Sequence, residues 1–153
     1  MLSSEPDSSD LSLYFKSHRQ TYYDHLQSVR ETGDWESWIK FFLNGVIETS
    51  SQATLTAKKI LNLFENDRKK IEDAGKATVG ILTIHNYLRS NPISNTTKIK
   101  DGCSVSLPTV LRSLATLEEL GLVKEITGKE RHKIFVYSQY LDILNSGIEP
   151  ATL

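Results

Sequence analysis

A mainly α fold is predicted, with N-terminal helical segments followed by a winged helix-turn-helix that carries a two-stranded β-wing. Three observations predict it. First, Leu107, Val110, Leu111, Leu114, Leu117 and Leu120 recur at steps of three and four, which places them on one face of a helix. Second, the period then changes. Residues 122–127 and 133–137 are short and rich in β-branched and aromatic side chains, and Gly128-Lys129-Glu130-Arg131-His132 separates them, so they read as a hairpin with a basic tip. Third, residues 78–89 are apolar at Val79, Ile81, Leu82, Ile84, Tyr87 and Leu88. Asn91-Pro92 breaks that helix, and a short segment around Ile99 comes after it. Three helices and a wing over roughly sixty residues are about enough to close one small core.

Residues 1–9, at the start of the chain, are mostly Ser, Asp, Glu and Pro with little to bury, and are expected to be a disordered tail. Residues 11–29 form one helix candidate, with Leu11, Tyr14, Phe15, Tyr22, Leu26 and Val29 broadly on one side. Thr32-Gly33 stops it and Asp34 caps the next helix. From 34 to 74 there is no Pro and one Gly, Gly45. Trp35, Trp38, Ile39, Phe42, Leu43, Val46 and Ile47 hold helical spacing, and Ala53, Ala57, Ile60, Leu61, Phe64 and Ile71 resume it. The polar stretch 49–52 has no turn chemistry, which favours one continuous or mildly kinked helix over two. Ala74-Gly75-Lys76 reads as a hinge. Ser106 caps the Leu-rich helix, Pro108 sits in its first turn and Gly121 ends it. Residues 139–145 read as a short terminal helix. The expected organisation is a tail at 1–9, a helical region at 10–75, the winged helix at 76–147 and a tail at 148–153.

Composition bounds the function. With 39% hydrophobic residues in 153, the chain can build a core. Its apolar runs are too short for a membrane span. The acidic N-terminus has no secretory pattern, and Cys103 is the single thiol, so a cytoplasmic protein without disulfides is expected. The net charge of −1 hides an asymmetry. Residues 1–75 carry nine Lys and Arg against twelve Asp and Glu, whereas residues 76–147 carry nine against six. The winged helix is thus the basic half, although modestly so.

Nucleic-acid contact is expected from Ser106, Thr109, Arg112, Ser113 and Thr116, read as facing away from the Leu stripe. Lys129, Arg131, His132 and Lys133 along the wing would meet phosphates. The bland alternatives are a solvated helix face and a hairpin tip charged for solubility. Lys98 and Lys100 are further phosphate candidates or ordinary surface lysines. His18, His25 and His85 lie in helical segments without ligand spacing, so no metal or cofactor is expected. Tyr22, Tyr23 and His25 lack a nucleophile-and-base arrangement. Trp35, Trp38 and Phe42 mark an apolar helix face that must pack on the winged helix, on a second copy or on another chain.

The sequence also resembles a known family. Leu11-Ser12-Leu13-Tyr14-Phe15-Lys16, Arg19, Tyr22-Tyr23, Leu26, Val29, Gly33-Asp34-Trp35 and Trp38-Ile39-Lys40-Phe41-Phe42-Leu43 resemble the C-terminal helices of a Fic-family catalytic domain. The stretch from Ser106 to Val123 resembles the winged helix found beyond that domain in bacterial members. So does the closing Phe135-Val136-Tyr137, with Tyr140-Leu141-Asp142-Ile143-Leu144-Asn145, Gly147 and Glu149-Pro150. Fic proteins are typically adenylyltransferases whose active-site loop reads His-Pro-Phe…Gly-Asn-Gly-Arg. Here no His precedes a Pro and no Gly-Asn-Gly occurs, so no catalytic residue is carried over. The resemblance implies a non-catalytic C-terminal part of a Fic-family protein, active in DNA binding and transcription regulation. The partners expected are double-stranded DNA and either a second copy in a homodimer or a Fic-domain protein. The alternative is a regulatory subunit that docks a separate Fic adenylyltransferase part.

Overall fold

The computed structural model describes residues 8–129 and 133–146. Among them are seven helices and a small antiparallel sheet. The order is α1 (Ser8–Ser17), α2 (Arg19–Thr32), α3 (Trp35–Asp73), α4 (Val79–Ser90), β1 (Ile93–Asn95), α5 (Thr96–Cys103), α6 (Leu107–Glu119), β2 (Lys124–Glu125), β3 (Ile134–Val136) and α7 (Ser138–Ser146).

Local chemistry sets most of the boundaries. Gly33 ends α2 in the left-handed conformation at φ 71°, a turn that a Cβ would oppose. Asp34 then accepts the Ser37 N–H at 3.1 Å and opens α3. Ser37 also holds the Asp34 carboxyl below the usual carboxylate range by hydrogen bonding. α3 runs unbroken for 39 residues. Through its polar middle, Thr49, Ser50 and Thr54 turn their hydroxyls back onto the carbonyls of Gly45, Val46 and Ser50. Thr78, Asn95 and Ser106 cap α4, α5 and α6 by accepting the backbone N–H three residues on.

Three features differ from the sequence expectation. α1 starts at Ser8, so the last two residues of the expected tail are helical. The single helix expected over 11–29 is two, parted at His18, whose φ of −105° and ψ of 34° leave the helical range. The expected two-stranded wing is part of a three-stranded sheet of order β1-β3-β2. Ile93 pairs with Val136 and Lys124 also pairs with Val136, which makes β3 the shared central strand. The structure has two compact units, which meet within α3 between Ala57 and Lys58.

The first unit comprises the described residues up to Ala57 and from Asn145 on. Its centre is aromatic. The Phe15 ring lies 5.8 Å from Phe41, 5.5 Å from Tyr22 and 6.5 Å from Trp38. Gly45 lets α1 come close, for a Cβ there would lie 2.7 Å from the Tyr14 ring. Only Phe41 and Gly45 are buried among this unit's described residues.

The second unit, Lys58–Leu144, closes a conventional core. Ile84, Leu88, Ile99, Val110, Leu114 and Leu117 are fully buried with Ile71 of α3 and Tyr137 at the end of β3. At Gly80 of α4 a Cβ would meet the Thr109 methyl at 2.9 Å, so glycine there allows the close α4–α6 approach. Leu114→Ala is expected to lower stability by about 2–5 kcal/mol, the range for truncating a fully buried leucine. A urea unfolding curve of the full chain checks it.

Candidate nucleic-acid interface

The capped N-terminus of α6 gathers the polar residues that the sequence singles out. Ser106 is exposed, accepts the Thr109 N–H at 3.4 Å and shares a hydroxyl contact of 2.8 Å with Thr109. Thr109 is half-buried against α4 and Arg112 is exposed, as are Leu107 and Pro108. Thr116 is half-buried.

Ser113 does not belong to the exposed face. It is 3% exposed, and its hydroxyl lies over Gly80 of α4, 3.5 Å from where a Cβ would stand. Conversely Leu107 and Leu111, placed by the sequence in the buried stripe, are 44% and 47% exposed. The buried face is Val110, Ser113, Leu114 and Leu117. The reason is the Gly80 contact. It draws the Ser113 side of α6 inward and rolls the Leu107 and Leu111 edge out. The outward face therefore carries one cation, Arg112, beside apolar side chains. Towards its C-terminal end are two acids that already have partners: Glu119 takes Lys76 Nζ at 2.6 Å and Glu118 accepts the Glu125 N–H at 3.0 Å.

The turn that follows β2 at Thr127 and Gly128 is held from within. The Glu125 carboxylate accepts the N–H groups of Thr127 and Gly128 and the Thr127 hydroxyl, and these bonds hold its pKa below the ordinary value. Lys129 is exposed beyond this turn and Lys133 is half-buried at the start of β3. Arg131 and His132 lie outside the described residues. Lys98 and Lys100 on α5 are exposed.

In the first unit, Trp35 and Phe42 are exposed, at 59% and 38%, whereas Trp38 is half-buried among Phe15, Tyr22 and Phe41. Trp35 and Phe42 belong to a wider open stripe with Ile39, Leu43, Val46 and Ile47, all exposed. Trp38 and Phe41 serve instead as the internal anchors of the unit.

Sequence reasoning misses a buried polar chain in the second unit. Asp67 of α3 is fully buried. Its carboxylate accepts the Tyr137 hydroxyl at 2.6 Å and the Lys70 ammonium at 2.8 Å. Tyr137, with its proton committed to Asp67, lies 3.3 Å from His85 Nε2, which therefore donates to the phenol oxygen. Burial drives the His85 pKa below its ordinary value and raises that of Tyr137 well above, with the Asp67 bond adding to the latter. A signal for it exists in the sequence: Asp67 stands at helical spacing between Phe64 and Ile71, on the face that turns inward.

Among the described residues no cluster of His, Cys, Asp and Glu is arranged to hold a metal ion, and no helix is long and apolar enough to cross a membrane. Cys103 is half-buried and burial raises its thiol pKa.

Arg112→Ala is expected to leave stability within about 0.5 kcal/mol, as for an exposed residue away from the core. Tyr137→Phe is expected to cost about 1–3 kcal/mol at neutral pH, because it strips a buried carboxylate of a donor. It also removes a pH dependence. The folded phenol keeps its proton above pH 10 whereas the unfolded one, at about 10, does not. The Tyr137 contribution to wild-type stability is thus complete below about pH 10 and declines above it. Urea titrations of wild type and both variants at pH 7, extended to pH 11 for wild type and Tyr137→Phe, check these points.

No protein-family model matches this chain, and a search of curated proteins finds no match.

Proposed function

We propose that residues 58–144 form a winged helix-turn-helix that binds double-stranded DNA as a regulatory, non-catalytic module, with α6 as the helix that enters the groove. The observation that carries the reading is the element order α4-β1-α5-α6-β2-β3 with sheet order β1-β3-β2. Ser106 at the capped start of α6, and Gly128 and Lys129 after β2, are exposed. Arg112 and the Ser106 hydroxyl would meet base edges or phosphates, with Thr109 beside them. Lys98, Lys100, Lys129 and the wing cations Arg131, His132 and Lys133 would meet the backbone. Ser113 has no place in that interface. The resemblance to Fic proteins supports taking the chain as the non-catalytic C-terminal part of one, acting in the cytoplasm.

A specific observation favours a second reading, a protein-docking subunit. The open stripe Trp35, Ile39, Phe42, Leu43, Val46 and Ile47 is a large apolar surface on a unit with little core of its own. Its occupant would be a second copy or a separate Fic catalytic part.

Fluorescence anisotropy with mixed-sequence duplex DNA across a salt series separates the two. DNA binding gives a linear fall of log affinity with log salt. Arg112→Ala should then weaken binding by roughly 1–2 kcal/mol and make the slope shallower by about one. Docking gives no DNA binding at low salt. Association in sedimentation, with or without a Fic catalytic domain, would then be lost in Phe42→Ala and kept in Arg112→Ala.

A further inference from the structure

The grip of α3 on the second unit is narrow. Three side chains of residues 58–73 are buried, namely Phe64, Asp67 and Ile71, and Ile60 and Leu63 pack partly against the core. One of the three buried groups is thus a carboxylate, whose place depends on a partner outside its own helix. That partner is Tyr137, at the junction of β3 and α7, and Tyr137 in turn takes the His85 N–H from α4. All three residues are at most 5% exposed. A segment held by few buried contacts belongs to the part of a fold that opens locally before the whole unfolds.

We propose that His85, Tyr137 and Asp67 form an acid-sensitive latch, which holds residues 58–73 in the second unit while His85 is neutral and loosens them when His85 takes up a proton.

The charged groups around His85 decide the sign. From α3, Asp67 favours a protonated His85, while Arg68 opposes it; from α4, Arg89 opposes it as well. Lys70 is paired with Asp67 and offsets part of the attraction. Tyr137, from the β3–α7 junction, offers His85 a neutral oxygen. Burial outweighs the pull of Asp67 and sets the net direction downward. When the latch is open, His85 is wetted and returns towards its ordinary value of 6.5. Protons therefore bind more readily to the open form than to the closed one. The stabilisation is complete above about pH 6.5 and is lost progressively as pH falls below it, towards the lower value of the closed form.

Amide hydrogen exchange on the full 153-residue chain at pH 7.5 and 5.5, corrected for intrinsic rates, tests the latch. The opening constant of residues 58–73 is expected to rise at pH 5.5, by at most about tenfold one unit below the ordinary His pKa. The Leu114 region of α6 should change less. In His85→Gln, which keeps an N–H for Tyr137 but does not titrate, the rise should vanish. Equal protection at both pH values, or a rise that persists in His85→Gln, overturns the proposal. Should that variant not fold, imidazole NMR of the wild type decides. A His85 midpoint below 6.5, with the exchange change lying between 6.5 and that midpoint, supports the latch, and a midpoint at or above 6.5 overturns it.

Discussion

A carboxylate with no access to water constrains the second unit more than any other group. Asp67 is buried, and a buried charge is tolerated only where donors replace the lost solvent. Tyr137 and Lys70 supply them, and supplying them fixes much else. The Tyr137 backbone N–H bonds the Pro92 carbonyl at 2.8 Å, which seats β3 beside the start of β1, and its carbonyl accepts Leu141 N–H in the first turn of α7. Its ring packs with Phe64, Tyr140 and His85. One tyrosine thus sets the rotation of α3, the end of the sheet and the start of the last helix. Arg89 completes the surroundings, with its guanidinium 4.6 Å from the centre of the Phe64 ring.

The two units reach order by different means. The second buries aliphatic residues from four helices together with Phe135 of β3 in one continuous core. The first relies on ring-to-ring contacts among half-buried aromatics, with Phe41 alone as a buried large side chain among its described residues. Apolar area removed from water stabilises a fold at about 25 cal/mol per Å². A unit that leaves Trp35, Ile39, Leu43 and Ile47 half exposed or more forgoes much of that stabilisation. The outward stripe is therefore the physical counterpart of a small core.

Local features are the legible ones in this sequence. Asp34 and Ser106 read as helix starts, and Gly33 and Gly121 as stops, because cap chemistry involves residues within one turn of each other. The continuity of α3 is legible too, from the absence of turn residues at 49–52. The helical phase of α6 is a different matter. Six apolar residues span more of the circumference than the core accepts, and which edge turns out depends on Gly80 of another helix. β1 is three residues long and has no pattern to announce it. Asp67 sits in a run of charges and its partner is 70 residues away, so composition hides it. For the candidate interface, Ser106 and Arg112 are where the spacing places them, while Ser113 is lost to the same rotation.

The sheet has a consequence for the order of events in folding. β3 is the central strand, and its pairing with β1 spans α5, α6 and β2 in the chain. Such pairing must wait for a long loop to close, whereas each helix and its cap form from near neighbours. By loop closure alone, the sheet is expected to form after the helices α4, α5 and α6. Its outer strands, of three and two residues, are also too short to template another chain. A chain caught before the sheet forms would have its helices largely in place and Tyr137 still looking for Asp67.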